Sequence, residues 1–457
     1  MPSTSIEKKN EEYEKKKYKH NKISYLILSF NSGLSHLSDL AINYYFKDTF
    51  HIEPDFYSKI LAIIHLPHIL KPLFGLFSDI FPIFGYKRKI YILIVGYVST
   101  ILLLLLSYLK INFIKSIIFL TLIDLCISFS TVLSQAIFIE LGKNNLDKDK
   151  ELLSMFYILK NCGLILSSYL KGYLIEKFSI KTVFGIHGFL EILIIISGFI
   201  LIEEKIGNKN FNENKNLNES ENKKLNDNNN NNKNKANIYD LINFIKKNEF
   251  ILPFLFVILF SSVPLYNETM FYYSSNVLKL TPNNFGIIYA VQNVLNLILI
   301  LNYKKYFKNT SFKFNIVFSR LLLFIFLIPN YFLVKNVTKN YIDNFYVVLF
   351  TNSSVFILTT LCNLPVFNLA AVLCPKNLEG TIFAFFMAGL NLGKFFSNFL
   401  SSSLTSYFNI KNNNFENMHK LVITANFLLF VPLILLLFIP DYYFNKKETK
   451  DDNKKII

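Results

Sequence analysis

The apolar residues of this chain fall in long uninterrupted blocks, not in stripes along one helix face. Segments such as 23–46, 91–108 and 421–440 are each long enough for a helix that crosses about 30 Å of hydrocarbon. Backbone amides find no water in that layer, so each block must close its hydrogen bonds internally as a helix. We therefore predict an all-α membrane protein with twelve transmembrane helices at residues 23–46, 55–79, 89–109, 113–140, 151–175, 181–203, 249–271, 283–302, 314–335, 342–372, 379–408 and 419–440.

A polar segment divides these spans six and six. Residues 207–237 are almost wholly Asn, Lys and Glu, so they cannot bury apolar surface and are predicted to be disordered. This pattern predicts two parallel six-helix bundles. The predicted order is a disordered cytosolic tail (1–22), a first bundle (23–203), a disordered linker with a short amphipathic helix (204–248), a second bundle (249–440) and a cytosolic tail (441–457).

Composition agrees with a membrane protein. Hydrophobic residues make up 52% of the chain and charged residues only 18%, against about 25% in soluble proteins. The net charge of +16 comes from lysines in the termini and loops, which indicates cytosolic loops and not a nucleic-acid partner. Both termini and the linker should therefore be cytosolic, so odd-numbered spans run outward. We expect the plasma membrane, with an internal membrane as the alternative.

Charged residues at the cytosolic helix ends form the first candidate site. Asp79 ends the second span, Arg88 follows in a Lys-Arg-Lys run, and Glu140 ends the fourth span at the same level. We predict that they form one cluster that fixes spans two, three and four in one state of a transport cycle. The alternative is an ordinary set of helix-end charges that face water.

Deeper charges are costly in hydrocarbon, at least about 2.5–3.5 kcal/mol each on insertion scales. Such residues should face a water-filled cavity or a partner charge. We predict a midplane anion site from the cationic and histidine side chains of separate spans, and proton carriage by two aspartates. These residues are Lys71, Lys160, Arg320, Lys394 and His68 for the anion, and Asp39 and Asp124 for the proton. Structural pairing, or snorkelling of Lys160 and Arg320 to the interface, is the alternative.

No arrangement typical of an enzyme stands out. The chain has no phosphate-binding glycine loop, and its four cysteines show neither metal-ligand nor disulfide spacing. His187 and Glu191 stand one helical turn apart without a third metal ligand nearby in the sequence. We therefore expect no metal, no cofactor and no catalytic residues. Glu268 and the tyrosines around it could form a gate or an aromatic surface for the substrate.

Three motifs resemble the folate–biopterin transporter family of the major facilitator superfamily, including the folate transporters of apicomplexan parasites. They are residues 66–79 with 81–88, residues 373–384, which resemble the family's Cys-Pro-Lys-Gly-x-Glu-x-Thr-x-Phe-Ala segment, and residues 267–273. The resemblance implies the major facilitator fold and alternating-access uptake of folates, pterins or related organic anions, with protons and no enzyme activity. It carries over Pro72, Gly75, Cys374, Pro375, Glu379 and Thr381, together with Lys71, Asp79 and Arg88.

The chain also departs from the family pattern. His68 replaces the usual tryptophan, and Asn377 stands where a glycine is frequent. Thr131 and Gln135 occupy positions of the fourth span where the family tends to have aspartates. A carrier of another small organic anion, such as p-aminobenzoate or an amino acid, is therefore an alternative. A membrane scaffold without transport is a further alternative, against which the charges in six separate spans argue.

Overall fold

The computed structural model places helices at all twelve predicted spans. It describes residues 3–142, 146–205, 245–307, 310–337, 341–373 and 379–437. Besides these helices, the described part of the chain has turns, short 3-10 and π segments and two isolated β-bridges. The α-helices are α1 (Ser3–Leu34), α2 (Asp39–Tyr44), α3 (Pro54–Ile64), α4 (Lys71–Ile80), α5 (Lys89–Tyr108), α6 (Phe113–Gly142), α7 (Leu146–Lys177), α8 (Ile180–Ile200), α9 (Asn248–Ser261), α10 (Asn267–Asn276), α11 (Pro282–Phe307), α12 (Phe312–Val334), α13 (Asn344–Leu373), α14 (Glu379–Tyr407) and α15 (Met418–Leu428).

Eight helical segments of the described residues are long and apolar enough to cross a membrane by length and composition. They are the predicted spans two, three, four, six, eight, nine, ten and twelve. The first span is divided between α1 and α2, and the seventh between α9 and α10. The fifth and eleventh spans, α7 and α14, are continuous but carry more polar residues.

Prolines account for three interruptions that the apolar pattern did not predict. The second span breaks at His65 and continues as the 3-10 segment Leu66–Leu70, which contains Pro67. The seventh span stops before Pro264, and the twelfth ends in a 3-10 segment with Pro432. Proline lacks a backbone N–H, and it disfavours the α conformation of the residue before it. The helix hydrogen-bond ladder therefore ends at these positions.

Serines accompany the break in the first span. A turn at residues 35–38 separates α1 from α2. The hydroxyl of Ser35 donates to the carbonyl of Ser32, and that of Ser32 donates to the carbonyl of Ser29. Such local side-chain hydrogen bonds compete with the backbone ladder and are common where helices bend.

Within the segment 1–22, for which a disordered tail is predicted, the structure describes a helix, because α1 begins at Ser3. Contacts with the end of the sixth span explain why this polar segment is ordered. The ammonium of Lys17 lies 2.5 Å from Oε1 of Glu204, and Asn21 exchanges two hydrogen bonds with the backbone of Ile202. Most of the predicted linker and the tail 441–457 lie outside the described residues. The domain boundaries stay predictions.

One compact unit, called unit 1, consists of Met1–His51, Leu73–Leu217 and Thr281–Val294. In it, α5 packs along α8, and α1 packs on α6, α7 and α8. Gly33 and Gly163 allow α1 and α7 to touch, since a Cβ added to Gly33 would clash with the carbonyl oxygen of Lys160. Any larger residue would push these helices apart.

The other unit, called unit 2, consists of Ile52–Pro72, Asn218–Leu280 and Leu295–Ile457. In it, α12 packs against α13, and α14 contacts α3, the 3-10 segment that follows α3, and α9. Gly393 allows the close approach of α14 to α9, because a Cβ there would clash with the Cβ of Ser261.

Candidate functional site

The three residues predicted to cluster at the cytosolic end do meet in unit 1. Nη2 of Arg88 lies 3.5 Å from Oδ1 of Asp79 and 3.2 Å from Oε1 of Glu140. The Arg88 side chain is only 10% exposed, whereas both carboxylates are about half exposed. One guanidinium therefore joins α4, the start of α5 and the end of α6. Its role in a transport cycle stays a prediction.

A further carboxylate supports this cluster and was missed in the sequence. Glu203, just beyond α8, accepts the backbone N–H groups of three consecutive residues, Lys87, Arg88 and Lys89, at 2.8, 3.1 and 2.8 Å. The first N–H groups of a helix have no partner within it and favour a negative charge. Glu203 therefore caps α5 and fixes the backbone that carries Arg88.

The break in the second span is the centre of a second cluster, in unit 2. Nδ2 of Asn391 on α14 donates to the carbonyl of His68 at 3.1 Å. His68 itself is half-buried, and its ring centroid lies 5.9 Å from that of His65. The interrupted backbone leaves a carbonyl free to accept, which is why a side chain of another helix can bind there. Lys71 begins α4 one turn after His68, and Lys394 follows Asn391 by one turn.

Both of these lysines project away from the lipid-facing sides of their helices. On α14 the exposed apolar stripe contains Phe396, Leu400 and Tyr407, and Lys394 lies roughly 140° from the centre of that stripe at about 100° per residue. Lys71 stands similarly opposite the exposed stripe of Leu73 and Phe77. Lys71 is half-buried and Lys394 exposed. No described residue forms a hydrogen bond or ion pair with Lys394.

The other two predicted cations sit in different surroundings. Arg320 on α12 is buried; its Nη2 donates to the carbonyl of Phe260 at 2.6 Å, and its guanidinium carbon lies 3.8 Å from the Phe260 ring centroid. Because Phe260 is in the last turn of α9, Arg320 caps that helix end next to the break of the seventh span. Lys160 is half-buried where α1 and α7 cross. A substrate contact of either stays a prediction.

The predicted proton carriers both belong to unit 1 but differ in exposure. Asp39 is the first residue of α2 and is exposed, with Oδ2 at 2.9 Å from Nδ1 of His36. Asp124 is half-buried on α6. A third titratable group, the pair His187 and Glu191 on α8, is fully buried and makes polar contacts with two other spans. The sequence showed the spacing of this pair but not its partners.

The family-motif positions are described only in part. Pro72 follows Lys71 in the first turn of α4. Gly75 does not lie at a close helix approach, because a Cβ added there would lie 3.7 Å from the side chain of Val132, an ordinary contact distance. Glu379 and Thr381 begin α14. Cys374 and Pro375 lie outside the described residues.

The tyrosines around Glu268 do not form an open aromatic surface. Tyr266, Tyr272 and Tyr273 are all buried in unit 2. The Tyr266 hydroxyl donates to Asn426 at 3.3 Å and accepts from Asn330 at 3.3 Å. These rings therefore pack the outer half of the seventh span and connect α10 to its neighbours.

Comparison with known sequences covers almost the whole chain. The pattern of the BT1 family matches residues 32–456. The chain is 30% identical over 431 residues to the putative folate transporter 2 of Plasmodium berghei, covering 93% of this chain and 90% of that protein. It is 28% identical to folate transporter 2 of Plasmodium falciparum over 96% and 92% of the two chains. The folate-biopterin transporter of Synechocystis is 26% identical over 94% and 84%.

Solved transporters share the fold at low sequence identity. A D-xylose-proton symporter has a TM-score of 0.64 and 11% identity, over 94% of this chain and 98% of that chain. The nucleoside transporter NupG has a TM-score of 0.66 and 13% identity, over 92% and 100%. These neighbours and the helix arrangement confirm the major facilitator fold. This chain is a multi-pass membrane transporter and not an enzyme, and it belongs to the BT1 family of folate–biopterin transporters.

Proposed function

We propose that this chain is a secondary transporter of folates, pterins or related organic anions, coupled to protons and working by alternating access. The plasma membrane is the proposed location. The names of its relatives support the substrate class. Proton coupling and alternating access are proposed from the buried charges and from the fold.

The observation that carries the proposal is the placement of Lys71 and Lys394. Each lies one turn from the hydrogen bond between Asn391 and His68, and each projects away from the lipid-facing stripe of its helix. The predicted topology makes the eleventh span antiparallel to the second, which would place Lys71 and Lys394 on opposite sides of that hydrogen bond. A lysine in a membrane span is tolerated where it faces water or an anion.

The chemistry of a folate suits this pair of cations. A lysine ammonium is a compact charge with three donors that binds carboxylates through charge-assisted hydrogen bonds. The pair could therefore hold a substrate with one or two carboxylates. The ring system of a pterin would then need an apolar or aromatic surface, on which stacking contributes about 0.5–1.5 kcal/mol per ring pair.

Two residues of the fourth span support a smaller organic anion as the second candidate substrate. Thr131 donates its hydroxyl to the carbonyl of Ile127 within its own helix at 2.9 Å, and Gln135 is exposed. Neither can take up or release a proton as an aspartate does. Coupling through α6 would then depend on Asp124, and the substrate could be p-aminobenzoate or an amino acid.

Uptake by the purified full-length chain in proteoliposomes tests both candidates. We expect labelled folic acid to accumulate when the outside is more acidic than the lumen, and not without a gradient. Excess unlabelled folic acid should abolish the signal. Accumulation of labelled p-aminobenzoate without any of folic acid would overturn the folate assignment. Equal folic acid uptake with and without the gradient would overturn proton coupling.

A further inference from the structure

The most completely buried titratable pair in unit 1 lies on α8 and has no assigned role. Nε2 of His187 is 3.3 Å from Oε1 of Glu191, and both side chains have no exposed surface. Glu191 stands close to the middle of α8 (Ile180–Ile200). On the predicted topology, this depth corresponds to the centre of the membrane. Titratable residues at such a depth are rare and are expected to serve an ion or proton pathway.

Polar side chains from two other spans complete this site. Asn31 on α1 donates Nδ2 to Oε1 of Glu191 at 3.2 Å, and Ser99 on α5 donates to Oε2 at 3.1 Å. The hydroxyl of Ser38 lies 2.8 Å from Nδ1 of His187. The side-chain amide oxygen Oδ1 of Asn31 is buried without a hydrogen-bond partner. The pair therefore joins the first, third and sixth spans.

Among the described residues, the groups that face the pair are polar but uncharged. Only a proton bound by the pair itself can therefore balance the charge of Glu191. Asn31 and Ser38 face it from α1 and the turn that follows, Ser99 faces it from α5, and Cys126 on α6 lies within range of the Glu191 charge. No further charged side chain among the described residues pairs with either member. The neighbourhood thus contributes hydrogen bonds but no compensating cation.

Two protonation states fit this geometry, and they differ in net charge. With a neutral imidazole protonated at Nε2, Nδ1 accepts from the Ser38 hydroxyl, Nε2 lies 3.3 Å from the carboxylate outside hydrogen-bond geometry, and the pair carries one negative charge. Adding one proton to Nδ1 forms a new N–H bond, turns the Ser38 hydroxyl into an acceptor, and leaves an imidazolium beside a carboxylate with no net charge. Because a charge without a counter-charge is costly away from water, proton binding changes the stability of this buried site.

The position of Ser38 connects the pair to the exterior of unit 1. Ser38 lies in the turn between α1 and α2, and the next residue is the exposed Asp39, which contacts His36. A change at Nδ1 of His187 therefore acts directly on the break in the first span. A break of this kind is a place where a helix can change its conformation with little loss of backbone hydrogen bonds.

We propose that His187 and Glu191 form a proton-binding site that couples proton movement to transport, with Ser38 transmitting the protonation state to the first span. This inference rests on the proposed transport function but names a site other than Asp39 and Asp124. His187 and Glu191 are the proton-binding groups, and Asn31 and Ser99 are positioning residues that hold the carboxylate.

The first test separates coupling from transport in proteoliposomes with labelled folic acid. Glu191→Gln keeps the size of the side chain but removes the charge. We expect accumulation driven by a pH gradient to fall at least about tenfold, while exchange of internal for external folic acid stays within about twofold of the unsubstituted protein. Glu191→Asp should restore part of the accumulation. Thr100→Val, which removes a neighbouring buried hydroxyl without a partner, should change neither measurement.

Two results in this assay would overturn the proposal. One is an unchanged accumulation ratio and pH profile in Glu191→Gln. The other is an equal loss of exchange and accumulation in that variant, because a merely structural role would affect both.

The second test does not depend on the substrate. In an infrared pH titration of the purified, substrate-free chain, His187→Gln should lose one of the histidine signals that the unsubstituted protein shows, and Glu191→Gln should alter that signal. Identical titrations of the unsubstituted protein and His187→Gln would show that His187 does not change protonation, which refutes the site. If folic acid is not a substrate, the uptake assay is silent while this titration still reports on the pair.

Discussion

Arg88, just before α5 in unit 1, and Lys394, within α14 in unit 2, are both cations, yet their surroundings are opposite. Arg88 is nearly buried and has two carboxylates within 3.5 Å, with a third carboxylate capping its backbone. Lys394 is exposed on a face turned away from the lipid stripe, and no described residue forms an ion pair with it.

The difference separates a cation that forms ion pairs between helices from one that no described carboxylate neutralises. A paired charge inside a protein recovers part of its desolvation cost from its partner. A charge without a protein anion must be solvated by water or bind an anion from outside. We therefore propose a role in the conformational cycle for Arg88 and in substrate binding for Lys394, and each proposal can be tested by a single substitution.

The largest effect is expected for Lys394→Met, which keeps an unbranched side chain but removes the charge. Losing one charge-assisted hydrogen bond to a carboxylate costs about 1.5–3 kcal/mol. At about 1.4 kcal/mol for each factor of ten, the Kd for folic acid should rise roughly 10- to 150-fold. Equilibrium binding of labelled folic acid to the purified protein measures this change, and Lys71→Met should behave in the same way.

Lys335→Met is the matched control, because Lys335 is an exposed lysine of the same unit just after α12. Its Kd should equal that of the unsubstituted protein. An unchanged Kd in Lys394→Met would show that Lys394 does not bind the substrate. The proposed contrast with Arg88 would then be wrong.

Arg88→Met should give the second largest effect, on the rate and not on binding. The substitution leaves Asp79 and Glu140 without their shared partner, but both are about half exposed and remain solvated. Losing a part-buried network of this kind shifts a conformational equilibrium by about 1–2 kcal/mol, or roughly tenfold in uptake rate. The Kd for folic acid should stay within about twofold. Initial uptake rates test this, with Lys87→Met as the control; a changed Kd with an unchanged rate would contradict the assignment.

The sequence predicted the cluster around Arg88 because the positions of its members at the helix ends can be read from the apolar pattern. Asp79 and Glu140 end their helices, and Arg88 lies in a run of basic residues at the same membrane face, so topology alone brings them to one level. Glu203 could not be found in this way, since its contact depends on α8 packing along α5. The partners of His187 were hidden for the same reason. An apolar pattern predicts that helices exist, but it does not specify which helix faces touch.

Glu203→Gln should produce a smaller effect, on stability. Glutamine retains one acceptor oxygen but loses the charge that faces the N-terminus of α5. Weakening a helix cap costs about 0.5–2 kcal/mol. Thermal unfolding of the purified protein should therefore occur at a temperature lower by about 2 °C. Glu204→Gln changes the neighbouring carboxylate without touching the cap and should have less effect. An equal shift in both variants would show that the cap contributes nothing of its own.

The smallest effect concerns Lys17 and Glu204, which join the N-terminal extension of α1 to the end of the sixth span. Partial burial lowers the pKa of Lys17, but the hydrogen bond and charge of Glu204, together with the charges of Glu14 and Tyr13, outweigh this effect, so the pKa is raised overall. A raised pKa in the folded state means that the stabilisation from the Lys17 charge is complete below the ordinary lysine pKa of 10.5 and is lost as pH rises through the raised value.

We expect Glu204→Gln to lower the free energy of unfolding by about 0.3 kcal/mol near neutral pH, and this difference from the unsubstituted protein should disappear at strongly alkaline pH. Thermal unfolding at both pH values measures the difference, and Glu14→Gln, which removes the more distant carboxylate at 3.6 Å, should change it less. A difference that persists above the raised pKa would show that Glu204 stabilises this end of the protein through hydrogen bonding alone and not through the charge of Lys17.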